Sequence, residues 1–140
     1  MPEAANFADW LAICNLRAAY CRFLDTKDWE RWRDLFTDDC ILDTTASGGT
    51  LEQGRDRFVD QIRTSLAGAR TAHQVHSPQI EIDGDRAVGV WAMQDRVIKD
   101  DFALTGYGHY HEVCIRTPDG WKIAEQTLTR LILEIDRPGN

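Results

Sequence analysis

The second half of the chain constrains the fold most. From residue 79 onward, apolar and polar side chains alternate in long runs separated by tight turns, a period of two that suits extended strands. Gln79–Asp83 leads through Asp83-Gly84-Asp85 into a long return strand, Arg86–Ile98. Thr105–Thr117 and Trp121–Ile135 follow, joined by Pro118-Asp119-Gly120. In that turn proline sets one torsion and glycine accepts a positive φ. These segments predict an antiparallel meander.

The first half follows a different period. From Asn6 to about Leu24, Trp10, Leu11, Ile13, Cys14, Leu16, Ala18, Cys21 and Leu24 recur at threes and fours, with Arg17 and Arg22 between them. A second helix is predicted over Asp28–Phe36, capped by Asp28, presenting Trp29, Trp32, Leu35 and Phe36, and ended by Asp38 and Asp39. Cys40-Ile41-Leu42 reads as a short strand and Ser47-Gly48-Gly49 as a turn. Gly54–Leu66 reads as a third helix through Phe58, Ile62 and Leu66. Helices first and a meander second is the α+β pattern, helices packed on one face of a curved sheet with a pocket between the layers.

A chain of 140 residues with 43% apolar content suits one domain over residues 1–140 with one core. Its formal charge of −7 and pI near 5.0 oppose binding to phosphate backbones or anionic membrane surfaces. No run approaches the roughly eighteen apolar residues of a membrane span, and the start, Met-Pro-Glu-Ala-Ala-Asn, lacks the basic opening of a signal peptide. The expectation is a cytoplasmic protein whose partner is a small molecule, with no nucleic acid and no membrane. Cys14, Cys21, Cys40 and Cys114 lack the paired spacing of zinc sites and read as buried thiols.

Alternation says which residues share a side of each strand without saying which side faces inward. On Arg86–Ile98 the sets are Gly89, Trp91, Met93, Asp95 and Val97 against Val88, Val90, Ala92, Gln94 and Arg96. On Thr105–Thr117 they are Tyr107, His109, His111, Val113 and Ile115 against Gly106, Gly108, Tyr110, Glu112 and Cys114. Trp91, Met93, Asp95, Tyr107, His109 and Tyr110 are therefore all candidates for contact with a substrate.

The series Tyr20-Cys-Arg-Phe-Leu-Asp25, Asp28-Trp-Glu-Arg-Trp-Arg-Asp-Leu-Phe-Thr-Asp-Asp39, His73, Ile82-Asp-Gly-Asp-Arg-Ala87, Gly108-His-Tyr-His-Glu112 and Asp119-Gly-Trp-Lys-Ile123 resembles the SnoaL-like, or scytalone dehydratase-like, branch of the nuclear transport factor 2 superfamily. The resemblance covers nearly the whole chain. It implies a cone-shaped NTF2-like fold, three N-terminal helices on a strongly curved, mixed and mostly antiparallel sheet. In members such as bile-acid dehydratase and hexachlorocyclohexane dehydrochlorinase, an Asp at the end of the first helix pairs with a His after the third. Asp25 and His73 fall on those places, and Tyr20 matches a tyrosine of the bile-acid enzyme where the dehydrochlorinase has lysine. Asp95 corresponds to a further acidic residue of the former. The fold also hosts isomerases, cyclases, dioxygenase small subunits and proteins with no chemistry, so it does not define a reaction.

The side chains suggest proton abstraction. A carboxylate that accepts from one imidazole nitrogen fixes the tautomer and leaves the other nitrogen basic. His73 is then the base, Asp25 its partner, and Tyr20 a hydrogen-bond donor to a carbonyl or departing hydroxyl. The expectation is a lyase of the dehydratase type acting on a small cyclic or carbonyl-activated substrate, without cofactor. The alternatives are an isomerase or cyclase, a ligand-binding protein, and a dioxygenase small subunit. His76, three residues from His73, is expected to face the other way. His109 and His111 share a face, but no third ligand is evident and no metal is expected. A homodimer or homotrimer is expected, since the outer sheet face carries apolar residues on either choice of side.

Overall fold

The computed structural model describes residues 4–137. Its elements run α1 Ala4–Asp25, α2 Trp29–Arg33, β1 Phe36–Asp43, a 3₁₀ turn Thr45–Ser47, β2 Leu51–Gln53, α3 Arg55–Ser65, β3 Arg70–Asp83, β4 Arg86–Ile98, β5 Ala103–Thr117 and β6 Gly120–Asp136. The strands form one sheet in the order β2-β1-β6-β5-β4-β3. The meander β3 to β6 is antiparallel, and β1 joins it parallel to β6, with Phe36 opposite Ile123 and Asp43 opposite Thr127. This is the α+β arrangement of three helices on a mixed, mostly antiparallel sheet.

Two boundaries depart from the sequence reading. The second helix stops at Arg33, and Phe36 opens a strand that includes Asp38 and Asp39. The Ile123 amide donates to the Leu35 carbonyl at 2.8 Å and draws the chain into the sheet at that point. Phe36 is buried on either reading, so its aromatic character does not discriminate helix from strand. Its ring packs 5.0 Å from Trp32 and 5.6 Å from Phe58. β3 begins at Arg70, well before Gln79, and its register shifts between His76 and Gln79. Ser77 there adopts φ of 50° ahead of Pro78, an interruption that hides the strand from a simple alternation count.

The first helix buries Ile13, Leu16, Arg17, Tyr20, Cys21 and Leu24, a stripe at steps of three and four. Trp10 and Leu11, expected within the buried stripe, are 38% and 46% exposed, and Ala18 also faces outward. Arg17 takes the inward place, at 0% exposure. Its guanidinium has buried acceptors on the sheet, so charge did not keep it at the surface. Cys21, Cys40 and Cys114 are buried and Cys14 half-buried, all as free thiols. Burial pushes the thiols of Cys21 and Cys40 up to about 11.

The strand faces are settled by burial. Trp91, Met93, Asp95 and Val97 of β4 point into the core, as do Tyr110, Glu112 and Cys114 of β5. Among the described residues, no helix is long and apolar enough to cross a membrane.

Candidate active site

Asp25 is the last residue of α1, and its carboxylate faces the first residues of β3. Oδ2 accepts the His73 backbone N–H at 2.7 Å, while Oδ1 accepts from Thr71 Oγ1 at 2.9 Å and meets His73 Nδ1 at 2.7 Å. Lys27 turns the chain out of α1 with φ of 60° and donates from Nζ to Thr71 Oγ1 at 3.1 Å. Because the carboxylate is an acceptor, it places the proton of a neutral imidazole on Nδ1 and leaves the lone pair on Nε2. Side chain and backbone of His73 are thus held by one carboxylate.

Beyond His73, Nε2 lies 3.9 Å from Asp95 Oδ2, outside hydrogen-bond reach. Asp95 is only 6% exposed and is held by Arg130 through Nη1 at 2.7 Å and Nη2 at 3.0 Å. Arg130 Nε donates to Ser47 Oγ at 2.6 Å. A Cβ on Gly106 would stand 2.2 Å from Arg130 Nη1 and 2.6 Å from Asp95 Oδ1, so the bare glycine makes room for the ion pair to pass over β5.

Tyr20 and Tyr110 close the inner end, at 4% and 3% exposure. Tyr20 Oη accepts from Gln126 Nε2 at 3.1 Å. Burial pushes both phenols above their ordinary pKa; for Tyr20 the Arg17 charge and the hydrogen bonds with Gln126 and Tyr110 act in the opposite direction.

These groups border one cavity of about 200 Å³. Tyr20, His73, Asp95, Tyr110, Gln126 and Arg130 are among its polar lining, to which Gln61 and Lys99 also belong, and Leu24, Phe58, Ile62, Val97, Leu104 and Leu128 are among its apolar walls. The structure therefore brings Tyr20, His73, Asp95 and Tyr110 to one cavity, with Asp25 behind His73. Trp91 and Met93 share the inward face without lining it: Trp91 Nε1 donates to Glu112 Oε1 at 2.5 Å, and Met93 Sδ lies 3.7 Å from Arg130 Nη1.

Tyr107 and His109 are corrections. Both belong to the outer face of β5, opposite the cavity, and Tyr107 is 41% exposed. Gly106 and Gly108 alternate with them and point inward, where a Cβ on Gly108 would meet the Thr129 carbonyl at 1.9 Å. Only the set containing these glycines can face the crowded side. His76 is exposed, as expected. Among the described residues, no three His, Cys, Asp or Glu side chains converge as a metal would require.

Sequence reasoning missed Arg130, Gln126 and Arg17. A signal existed for the first two: Gln126, Leu128 and Arg130 alternate on β6, which puts two polar side chains on the same side as a core leucine.

Three helices on a six-stranded mixed sheet, with a His–Asp pair beside the cavity, make an NTF2-like α+β fold. The chain belongs to the SnoaL-like domain family, whose model matches residues 5–127. An uncharacterized protein of Mycobacterium tuberculosis is 27% identical over 135 residues, covering 93% of this chain and 90% of its own. Among solved structures, an aromatic ring hydroxylase candidate from Novosphingobium aromaticivorans superposes with a TM-score of 0.86 at 28% identity, over 93% of this chain and 94% of that one. A hexachlorocyclohexane dehydrochlorinase (LinA type 2) gives 0.82 at 16% identity, over 96% and 97%. At that identity the likeness to the dehydrochlorinase is one of fold.

Proposed function

We propose that this protein is a cofactor-independent lyase that removes water from a small cyclic or carbonyl-activated molecule. The observation that carries this reading is the 2.7 Å contact between His73 Nδ1 and Asp25 Oδ1 in a histidine that lines a largely apolar cavity. Nε2 takes a proton from the carbon next to the carbonyl, and the electron pair moves onto the carbonyl oxygen, where the Tyr20 hydroxyl stabilises it. When the enolate collapses, the C–O bond to the β-hydroxyl breaks, and the departing oxygen takes the proton back from the imidazolium and leaves as water. Asp25 stabilises the imidazolium in between. Asp95 is neutralised by Arg130, so the cavity beside Nε2 suits an uncharged substrate.

A tyrosine at position 20, where the dehydrochlorinase resemblance would call for lysine, favours loss of water over loss of halide. The direct test is a panel of cyclic β-hydroxy ketones in D₂O, followed by enone absorbance and by NMR. Water loss that disappears with His73→Gln supports the reading. α-Deuteration without water loss redirects it to an isomerase, which shares the first proton transfer. No exchange and no turnover across the panel, with binding unchanged by H73Q, would leave a ligand-binding protein.

We also propose a cytoplasmic homodimer or homotrimer. Beyond Thr127 the β6 edge no longer pairs with β1, and Leu131, Ile132, Leu133 and Ile135 are exposed, Leu131 at 72%. A single species of monomer mass in sedimentation at micromolar concentration would overturn the self-association.

A further inference from the structure

Arg17 is the most deeply buried charge in the described fold, and the proposed reaction makes no direct use of it. Its Nη2 donates to Glu112 Oε2 at 2.6 Å and its Nη1 to Gln126 Oε1 at 2.6 Å. The guanidinium carbon lies 4.5 Å from the centroid of Tyr20 and 4.8 Å from that of Tyr110. Glu112 is itself held by Trp91, opposite Gly89 in the register, where a Cβ would stand 3.0 Å from Glu112 Oε1. Glu112 in turn pairs with Gln126 across β5 and β6. The anchor therefore spans three strands and α1.

We infer that Arg17, through Gln126, is a positioning residue that makes the Tyr20 hydroxyl a one-way donor toward the cavity. Donors and acceptors along the network allow one polarity. Guanidinium has donors only, so the Gln126 oxygen must face Arg17 and the Gln126 NH₂ must face Tyr20. The 3.1 Å contact is then a bond from Gln126 Nε2 into the Tyr20 oxygen. An oxygen that already accepts from Gln126, with the Tyr110 hydroxyl as its other polar neighbour, has its own proton left to give on the cavity side. Were Arg17 absent, the amide could turn over and accept the tyrosine proton, and the phenol would present a lone pair where the proposed reaction needs a donor. The inference deepens the lyase reading and rests on it for the role of Tyr20, although the hydrogen-bond polarity itself does not.

The test separates the two. Arg17→Met alone strands the Glu112 carboxylate in the core and endangers folding. The variants are therefore Gln126→Leu, and Arg17→Met combined with Glu112→Gln. The chain has three tyrosines, so labelling tyrosine at ¹³Cζ resolves Tyr20, with the exposed Tyr107 as internal control. Loss of the incoming bond in Q126L is expected to make Tyr20 a roughly tenfold weaker acid, and the double variant, which removes the Arg17 cation beside the ring, to shift it in the same direction. The Gln126 side-chain amide of the wild-type protein should show one proton protected from exchange. An unshifted Tyr20 in both variants, or two freely exchanging Gln126 amide protons in the wild type, overturns the inference. In turnover, Q126L should lower kcat by about tenfold and have no further effect in the Y20F background. A shifted Tyr20 together with full activity of Y20F would leave the network standing and remove Tyr20 from the reaction.

Discussion

Asp95 and Arg130 meet as a two-pronged ion pair, 2.7 and 3.0 Å apart, over a glycine that leaves them room. One member stands 3.9 Å from the free nitrogen of His73, so this pair is the charged neighbour on the side of the imidazole away from Asp25. Removing one partner of a buried pair costs more than removing both, because an unmatched charge is left behind. Arg130→Met is therefore expected to lower unfolding stability by about 3–5 kcal/mol, and Arg130→Met with Asp95→Leu by clearly less. Urea unfolding of the two variants checks the order.

Gly106 offers a test of the same pair without touching either charge. A methyl group there would fall 2.2 Å from Arg130 Nη1, so Gly106→Ala should separate the pair, cost about 1–3 kcal/mol of stability and lower turnover. If the variant melts at the wild-type temperature, the close approach is not a constraint.

Asp25→Asn should preserve the bond to the His73 backbone amide while weakening the one to Nδ1. Hence the fold should survive, with unchanged circular dichroism, while any turnover falls by about 10²–10⁴-fold. Equal loss of structure and activity would indicate that Asp25 serves only to tie α1 to β3.

Buried thiols and phenols make the fold sensitive to alkaline pH. The Cys21 and Cys40 thiols ionise at about 11 in the folded chain against an ordinary value of 9.0, and Tyr20 and Tyr110 are raised above 10.0. Above pH 9 the unfolded chain thus gives up protons that the folded chain keeps. By linkage, the stability present below pH 9 declines as pH rises toward 11. The urea midpoint should fall through that range, and less steeply in Cys21→Ala.

Much of this was legible locally. Helix periodicity placed α1 and α3, and the period of two and the Asp-Gly turns placed the meander. Tyr20, Asp25 and His73 were marked by resemblance to the family's motif. Contacts distant in sequence were not legible: β1 pairing parallel to β6, Phe36 passing from helix to strand, and Arg17 turning inward.

The sequence by itself determined the types of the long elements, α1, α3 and β4 to β6, and the sets of residues that share a side of β4 and β5, because φ and ψ preferences and side-chain alternation are properties of neighbouring residues. Only the tertiary structure decided which side faces the cavity, and so placed Tyr110 in the site and Tyr107 and His109 outside it. The two sides of β5 carry similar local hydrophobicity, and the choice lies in what packs across from them: Arg17 needs the carboxylate of Glu112, and Arg130 needs the space over Gly106. Those requirements join residues that lie far apart along the chain, so they exist only once the helix and sheet have come together.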